Sequence, residues 1–212
     1  LPFIEGTELD TPFGVWVVEA GFALVKRLAS AGLELPVSIN ISAMHLQQSN
    51  FSLWMGERVA AHPQSPAHLL DIEITETAAL LQIDCVAQTL RELRTLGLTI
   101  SLDDFGTGYS SLTYLRRLPL NTLKIDQSFV HGMMNDAGDL AIVQGVIGLA
   151  RSFGYRIIAE GVETPDQGQM LLQLGCNMAQ GYHFARPMPV ADFIPRVKNW
   201  QAPALAVRPH TG

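Results

Sequence analysis

Residues 84–103 read DCVAQTLRELRTLGLTISLD, and this stretch holds one complete helix-to-strand phrase. Asp84 can cap a helix, along which Val86, Leu90 and Leu93 recur at the spacing of one helical face. Gly97 stops that helix. The strand Leu98-Thr99-Ile100-Ser101-Leu102 follows, alternates apolar with polar residues, and delivers Asp103 at its end. The same phrase recurs in both directions. Upstream, Thr11-Pro12 reads as a helix start, with Thr as cap and Pro at the first helical position. Trp16, Val17, Ala20, Leu24 and Leu28 follow at helical spacing, then Gly32, then a strand over residues 37–41. Downstream, Leu140, Val143, Val146, Ile147 and Ala150 line a helix that stops near Gly154 before a strand over residues 156–160. Thr164-Pro165 opens another helix, carrying Met170, Leu171 and Leu174 and ended by Gly175. Strands also read at Leu70–Thr75 and Thr122–Ile125, with a short one at Met178–Tyr182.

Six strands thus alternate with helices at intervals of about 20 to 35 residues, the size of a βα unit. That alternation predicts an α/β fold with a parallel sheet and helices outside it. A doubly wound open sheet would carry a GxGxxG turn after a strand, and none follows any strand here. Instead every strand places a polar residue near its C-terminal end: Asn40, Glu73, Asp103 with Asp104, Lys124, Glu160 and Gln180. The C-terminal rim is where a β/α (TIM-like) barrel builds its active site. Period-two alternation turns Ile39, Ile41, Ile72, Ile74, Leu123 and Ile125 toward helices. It turns Ser38, Asn40, Asp71, Glu73, Ser101, Asp103, Thr122 and Lys124 inward.

Composition narrows the function classes. The 212 residues are 48% hydrophobic, with 14 Lys plus Arg against 20 Asp plus Glu and a formal net charge of -6. The basic residues are scattered, without the patch or stripe that DNA or RNA binding needs, so no nucleic-acid polymer is expected as a partner. No apolar run approaches the roughly 18 residues of a membrane span, and no signal-peptide pattern opens the chain. Cys85 and Cys176 read as small, reduced core residues of a cytoplasmic protein. The six histidines form no zinc-ligand spacing. Residues 201–212 lack periodicity and read as a frayed tail.

Four carboxylates on one rim repel each other unless they are protonated or neutralised, and one lysine cannot balance them. Hard divalent cations can. Asp and Glu with an Asn amide oxygen are the donors that Mg²⁺ or Mn²⁺ prefers. The adjacent pair Asp103-Asp104 suits a site of two ions, and such a site suits phosphodiester hydrolysis. Lys124 is the natural electrophile or water-orienting group beside them.

The segment Leu102–Leu112, LDDFGTGYSSL, resembles the DDFGTGYSSL signature of EAL-domain cyclic di-GMP phosphodiesterases. DIEITE at 71–76 is similar to the family's ExTE segment, LKID at 123–126 to its LKID strand, AEGVET at 159–164 and QGY at 180–182 to motifs of the same form, and Asn40-Ile41-Ser42 to its NxS strand. The match runs in family order from about Phe3 to Trp200, so residues 1–200 are expected to form one EAL-like domain. The resemblance implies a modified β/α barrel that cuts cyclic di-GMP to linear pGpG with Mg²⁺ or Mn²⁺. It implies Asn40, Glu73, Asp103 and Glu160 as metal ligands, and Asp104 as ligand to a second ion and holder of the attacking water. Lys124 would contact that water and handle protons, and Gln180 would complete the site. Glu76 would hold the Gly106–Ser110 loop in shape. Arg186 would meet a substrate phosphate or stand as a surface arginine. A homodimer through the glycine loop is also implied, as is a sensory or diguanylate cyclase domain upstream.

The family's Glu-Ala-Leu motif is absent, and residues 1–5 resemble the segment that follows it. The expectation is therefore six of eight strands, with the first two strands, a ligand Glu and a phosphate-binding Arg upstream of residue 1; Glu5 and Glu8 are poor substitutes. Upstream segments could also anchor a parent protein to a membrane. Six strands alone would leave unpaired edges, lower solubility and little turnover, in an otherwise active parent. Two alternatives stay open. One is a non-catalytic cyclic di-GMP receptor. The other is an unrelated barrel enzyme, which would need a phosphate site after its last strands.

Overall fold

The computed structural model describes residues 4, 6–80, 82–108 and 112–201. Leu1, Pro2, Phe3, Glu5, the Tyr109–Ser111 part of the glycine-rich signature and all but the first residue of the expected tail lie outside the described residues. The chain divides into two compact units, Leu1–Asp103 with Gly108–Asn121, and Asp104–Thr107 with Thr122–Gly212.

The first unit runs α1 (Asp10–Ser30), β1 (Val37–Asn40), α2 (Ala43–Leu46), α3 (Phe51–Ala61), β2 (Leu70–Thr75), α4 (Glu76–Leu80), α5 (Ile83–Thr95), β3 (Thr99–Phe105) and α6 (Leu112–Leu115), the last two residues of β3 belonging to the second unit. β1 pairs parallel with β2, and β2 with β3. Every residue of β2 from Leu70 to Ile74 is buried, as befits a parallel strand covered on both faces. Val18, Phe22, Val25 and Leu28 form the buried stripe of α1, which packs on β1 and β2. α5 buries Val86, Ala87, Leu90 and Leu93 and packs beside α3. Each fully buried aliphatic or aromatic side chain contributes about 1.5–3 kcal/mol.

The second unit runs β4 (Thr122–Ile125), α7 (Gln127–Gly132), α8 (Ala137–Phe153), β5 (Arg156–Ala159), α9 (Pro165–Leu174) and α10 (Val190–Lys198). β4 and β5 pair parallel, Thr122 opposite Arg156 and Lys124 opposite Ile158. α8 packs on both, burying Val143, Val146, Ile147 and Ala150. Its start is capped by Asp136, which accepts from Gly138 N at 2.6 Å and Asp139 N at 3.1 Å. Thr164 caps α9 in a reciprocal capping box with Gln167. Gly154 and Gly175 end α8 and α9 in the left-handed region. Among the described residues no helix is long and apolar enough to cross a membrane.

Four expectations are corrected. The sixth strand, over 178–182, is a single parallel bridge between Ala159 and Ala179, so five strands are described rather than six. The chain leaves the strand direction at Gly181, whose φ of +153° lies outside strand geometry. α1 begins at Asp10 rather than after a Thr11 cap, because the Asp10 carboxylate is engaged by Gly6 N and the Ser42 hydroxyl. Asp84 lies in the first turn of α5 and Gln82 occupies the cap position. Cys85 is exposed because it falls off the Val86–Leu90–Leu93 stripe, while Cys176 is buried; both are free thiols.

Candidate active site

β1 and β2 set the first two candidate ligands side by side. Asn40 and Glu73 are partners in the ladder, Asn40 exposed at the end of β1 and Glu73 buried on β2. Glu76 follows on α4 and is only 3% exposed. Its Oε1 lies 2.4 Å from where a Cβ on Gly108 would stand, so a side chain at that position of the glycine loop would displace this carboxylate. Asp103 ends the ladder of β3 with β2, opposite Thr75.

In the second unit, Lys124 is 3% exposed on β4. Its Nζ lies 2.6 Å from Glu160 Oε1, and the Gln180 amide donates to the same carboxylate oxygen. Glu160 follows β5 directly and is held there by its own N–H, which donates to Ile125 O at 3.1 Å. A carboxylate oxygen of Asp104 lies within 4.8 Å of one of Glu160. Asp104 adopts φ +54°, a left-handed conformation that L side chains take at a cost and that recurs at functional sites. A buried ion pair of the Lys124–Glu160 kind returns little net stability after its desolvation cost, so its presence is better explained by chemistry than by folding.

The loop after β5 is pinned from below. Gln167 is buried; its Oε1 accepts from Glu163 N at 2.8 Å and Thr164 N at 3.0 Å, and its Nε2 donates to Val130 O at 3.3 Å. Val162 N donates to Gln180 O at 3.0 Å and His183 N to Val162 O at 2.9 Å, which brings Gln180 back to the strand end that bears Glu160. Sequence reading missed Gln167, although a Gln three residues after a capping Thr was a visible signal. Arg186 stands apart: its described contact is with the Tyr182 ring, 4.9 Å from the centroid, and both residues are exposed.

The donors near Asp104 and Glu160 are hard carboxylate oxygens, with Asp103 adjacent in the chain, and this is an acidic group able to hold a metal ion. Fold and site together define an α/β protein of the kind that carries polar chemistry at the C-terminal ends of parallel strands. The chain belongs to the EAL domain family, whose model matches residues 1–187. It is 37% identical over 198 residues to the bifunctional diguanylate cyclase/cyclic di-GMP phosphodiesterase MucR of Pseudomonas aeruginosa, covering 93% of this chain and 29% of that protein. It is 41% identical over 196 residues to the cyclic di-GMP phosphodiesterase NbdA of the same organism, covering 90% of this chain and 25% of that one. The chain thus spans less than a third of the length of these relatives. Among solved structures it resembles the PaMucR phosphodiesterase in complex with c-di-GMP, with a TM-score of 0.86, 36% identity, and coverage of 91% of this chain and 78% of that one. It also resembles the EAL domain of Mycobacterium smegmatis DcpA, with a TM-score of 0.83, 35% identity, and coverage of 90% and 86%.

Proposed function

We propose that residues 1–200 belong to an EAL-type phosphodiesterase domain, and that the longer protein containing it hydrolyses cyclic di-GMP to linear pGpG. The observation that carries this is the buried Lys124–Glu160 contact, with Gln180 bonded to the same carboxylate and Asp104 beside it. Family membership and the names of the relatives support the substrate.

Asn40, Glu73, Asp103, Asp104 and Glu160 would hold two Mg²⁺ or Mn²⁺ ions. Bound there, the ions supply a nucleophilic water at neutral pH and neutralise charge on the phosphodiester. Asp104 orients that water by accepting its hydrogen bond. Lys124, fixed against Glu160, is the cation facing the reacting oxygens, and it handles the proton as water adds across one P–O3′ bond. Gln180 donates to the same Glu160 oxygen that Lys124 contacts. Glu76, whose carboxylate lies against Gly108, holds that part of the glycine loop in shape. Arg186, stacked on Tyr182, offers an exposed guanidinium to a phosphate. A cytoplasmic location and a homodimer belong to the same proposal.

The test is pGpG release from cyclic di-GMP with Mg²⁺ or Mn²⁺, measured on this chain and on any longer natural protein that contains it. Release that stops with EDTA and in Glu160→Gln is expected. Cyclic di-GMP binding without cleavage in the longer protein would make it a receptor and refute the enzyme assignment.

A further inference from the structure

Beneath the candidate ligands of the first unit lies a second polar layer that the chemistry above does not use. Asp71 is 5% exposed, and its described partners are hydroxyls on both neighbouring strands. Its Oδ1 accepts from Thr99 Oγ1 at 2.7 Å, and its Oδ2 from Ser101 Oγ at 2.6 Å and from Ser38 Oγ at 3.2 Å. One carboxylate is therefore bonded across β1, β2 and β3 at once. The ladder register explains why: Ser38 and Thr99 are the partners of Asp71, and Ser101 is the partner of Glu73.

The arrangement is regular with respect to the candidate ligands. Side chains two residues apart on a strand share a face. Ser38 stands two residues before Asn40, Asp71 two before Glu73, and Ser101 two before Asp103. Each ligand-bearing strand of this unit thus carries one member of the hydroxyl–carboxylate layer directly below its ligand. Burying a carboxylate is costly unless its acceptor sites are filled. An apolar residue here would avoid that cost, as Ile72 and Ile74 do on the opposite face of β2. What the carboxylate adds is a fixed lateral spacing of three strands at the level below the ligands.

We propose that Asp71 is a positioning residue for the metal site: with Ser38, Thr99 and Ser101 it sets the spacing of Asn40, Glu73 and Asp103. This inference rests on the metal-dependent function proposed above. Partners that orient metal ligands from behind typically change metal affinity by about 10–100-fold when removed. The experiment titrates Mn²⁺ into the longer natural protein that contains this chain, wild type and variants, following loss of the free-Mn²⁺ electron paramagnetic resonance signal. Thermal unfolding in EDTA is recorded in parallel. Asp71→Leu is expected to weaken Mn²⁺ binding at least about tenfold. Ser101→Ala and Thr99→Val, which remove one donor each and keep the fold, are expected to weaken it about threefold. Asp71→Asn, which keeps an acceptor oxygen, is expected to recover most of the loss. Leu90→Ala in α5 supplies a destabilised chain with an intact layer and is expected to bind Mn²⁺ normally. A merely structural role would lower the unfolding temperature in EDTA and leave Mn²⁺ affinity unchanged in Ser101→Ala, Thr99→Val and folded Asp71→Leu; that result overturns the inference alone. A wild type that takes up no Mn²⁺ overturns the metal-dependent function and this inference with it.

Discussion

Replacing Gly181 by Ala should be among the most damaging single-methyl changes in the second unit. A Cβ on Gly181 would stand 2.2 Å from Val162 O, 2.3 Å from Val162 N and 2.8 Å from Val162 C, all backbone atoms in a fully buried residue. No side-chain rotation relieves such contacts. The 180–183 segment must withdraw by about an ångström, which breaks the bonds Val162 N to Gln180 O and His183 N to Val162 O. Two buried backbone hydrogen bonds cost about 1–1.5 kcal/mol each. The φ of +153°, nearly confined to glycine, adds about 1–2 kcal/mol. The sum is about 3–5 kcal/mol, or roughly 6–20 °C in melting temperature for a chain of this size. Gln180 moves with the segment, so its bond to Glu160 is lost and cyclic di-GMP turnover should fall with stability. Circular-dichroism melting and pGpG release measure the two effects. Gly145→Ala is the control: it lies within α8 with nothing inside 4 Å of the added methyl, and should stabilise by about 0.5–1 kcal/mol. If Gly181→Ala melts within a degree or two of wild type and turns over normally, the close approach to Val162 is not a real constraint.

Three further outcomes are expected. Asp104→Asn and Asp104→Ala should both lower turnover by two or more orders of magnitude; because Asn tolerates the left-handed φ of this position better, the Asn variant should be about 1 kcal/mol more stable by urea unfolding. Equal stability of the two would refute the backbone argument. Gln167→Ala strands two N–H groups and one carbonyl below the Glu160 loop and should cost about 2–4 kcal/mol by calorimetry, with turnover falling in parallel. His45 is buried, and burial holds its pKa below the usual histidine value, partly opposed by Asp10. Its unfolded form therefore binds a proton more readily, so its share of stability is full above pH about 6.5 and is lost as pH falls below that value. Urea midpoints between pH 7.5 and 5.5 should fall more steeply for wild type than for His45→Leu, and identical slopes would count against it.

The fold was legible where local chemistry and tertiary structure ask for the same residue. Thr164-Pro165 opens α9, Gly154 and Gly175 end their helices, and the buried stripe of α8 falls on Val143, Val146, Ile147 and Ala150. It was less legible where a distant partner decides. At the start of α1 the Asp10 carboxylate is engaged by Gly6 N and by Ser42, far along the chain, and no helix-start rule contains the second bond. Residues 178–182 have a strand's composition, but Gly181 turns the chain against Val162 after one bridge. The placement of Asn40, Glu73, Asp103 and Lys124 on strands, and of Glu160 directly after one, was readable from the alternation, whereas Gln180 follows a single bridge and not a strand. The inward face of Asp71 was readable too, since period two gives the face; its three hydroxyl partners were not, because they depend on ladder register.

The parallel ladders also bear on how the chain reaches this state. Val37 pairs with Leu70, Asp71 with Thr99 and Thr122 with Arg156, each roughly thirty residues along the chain. Among the described residues no hairpin offers an early, cheap closure, so these contacts carry the loop-closure cost that slows folding. The intervening helices, with local caps at Asp136 and Thr164, need no such closure and can form first. Within each unit the strand-end carboxylates are therefore gathered late, once helices already span the gaps between strands, and their mutual repulsion weighs on the last steps of assembly rather than on the first.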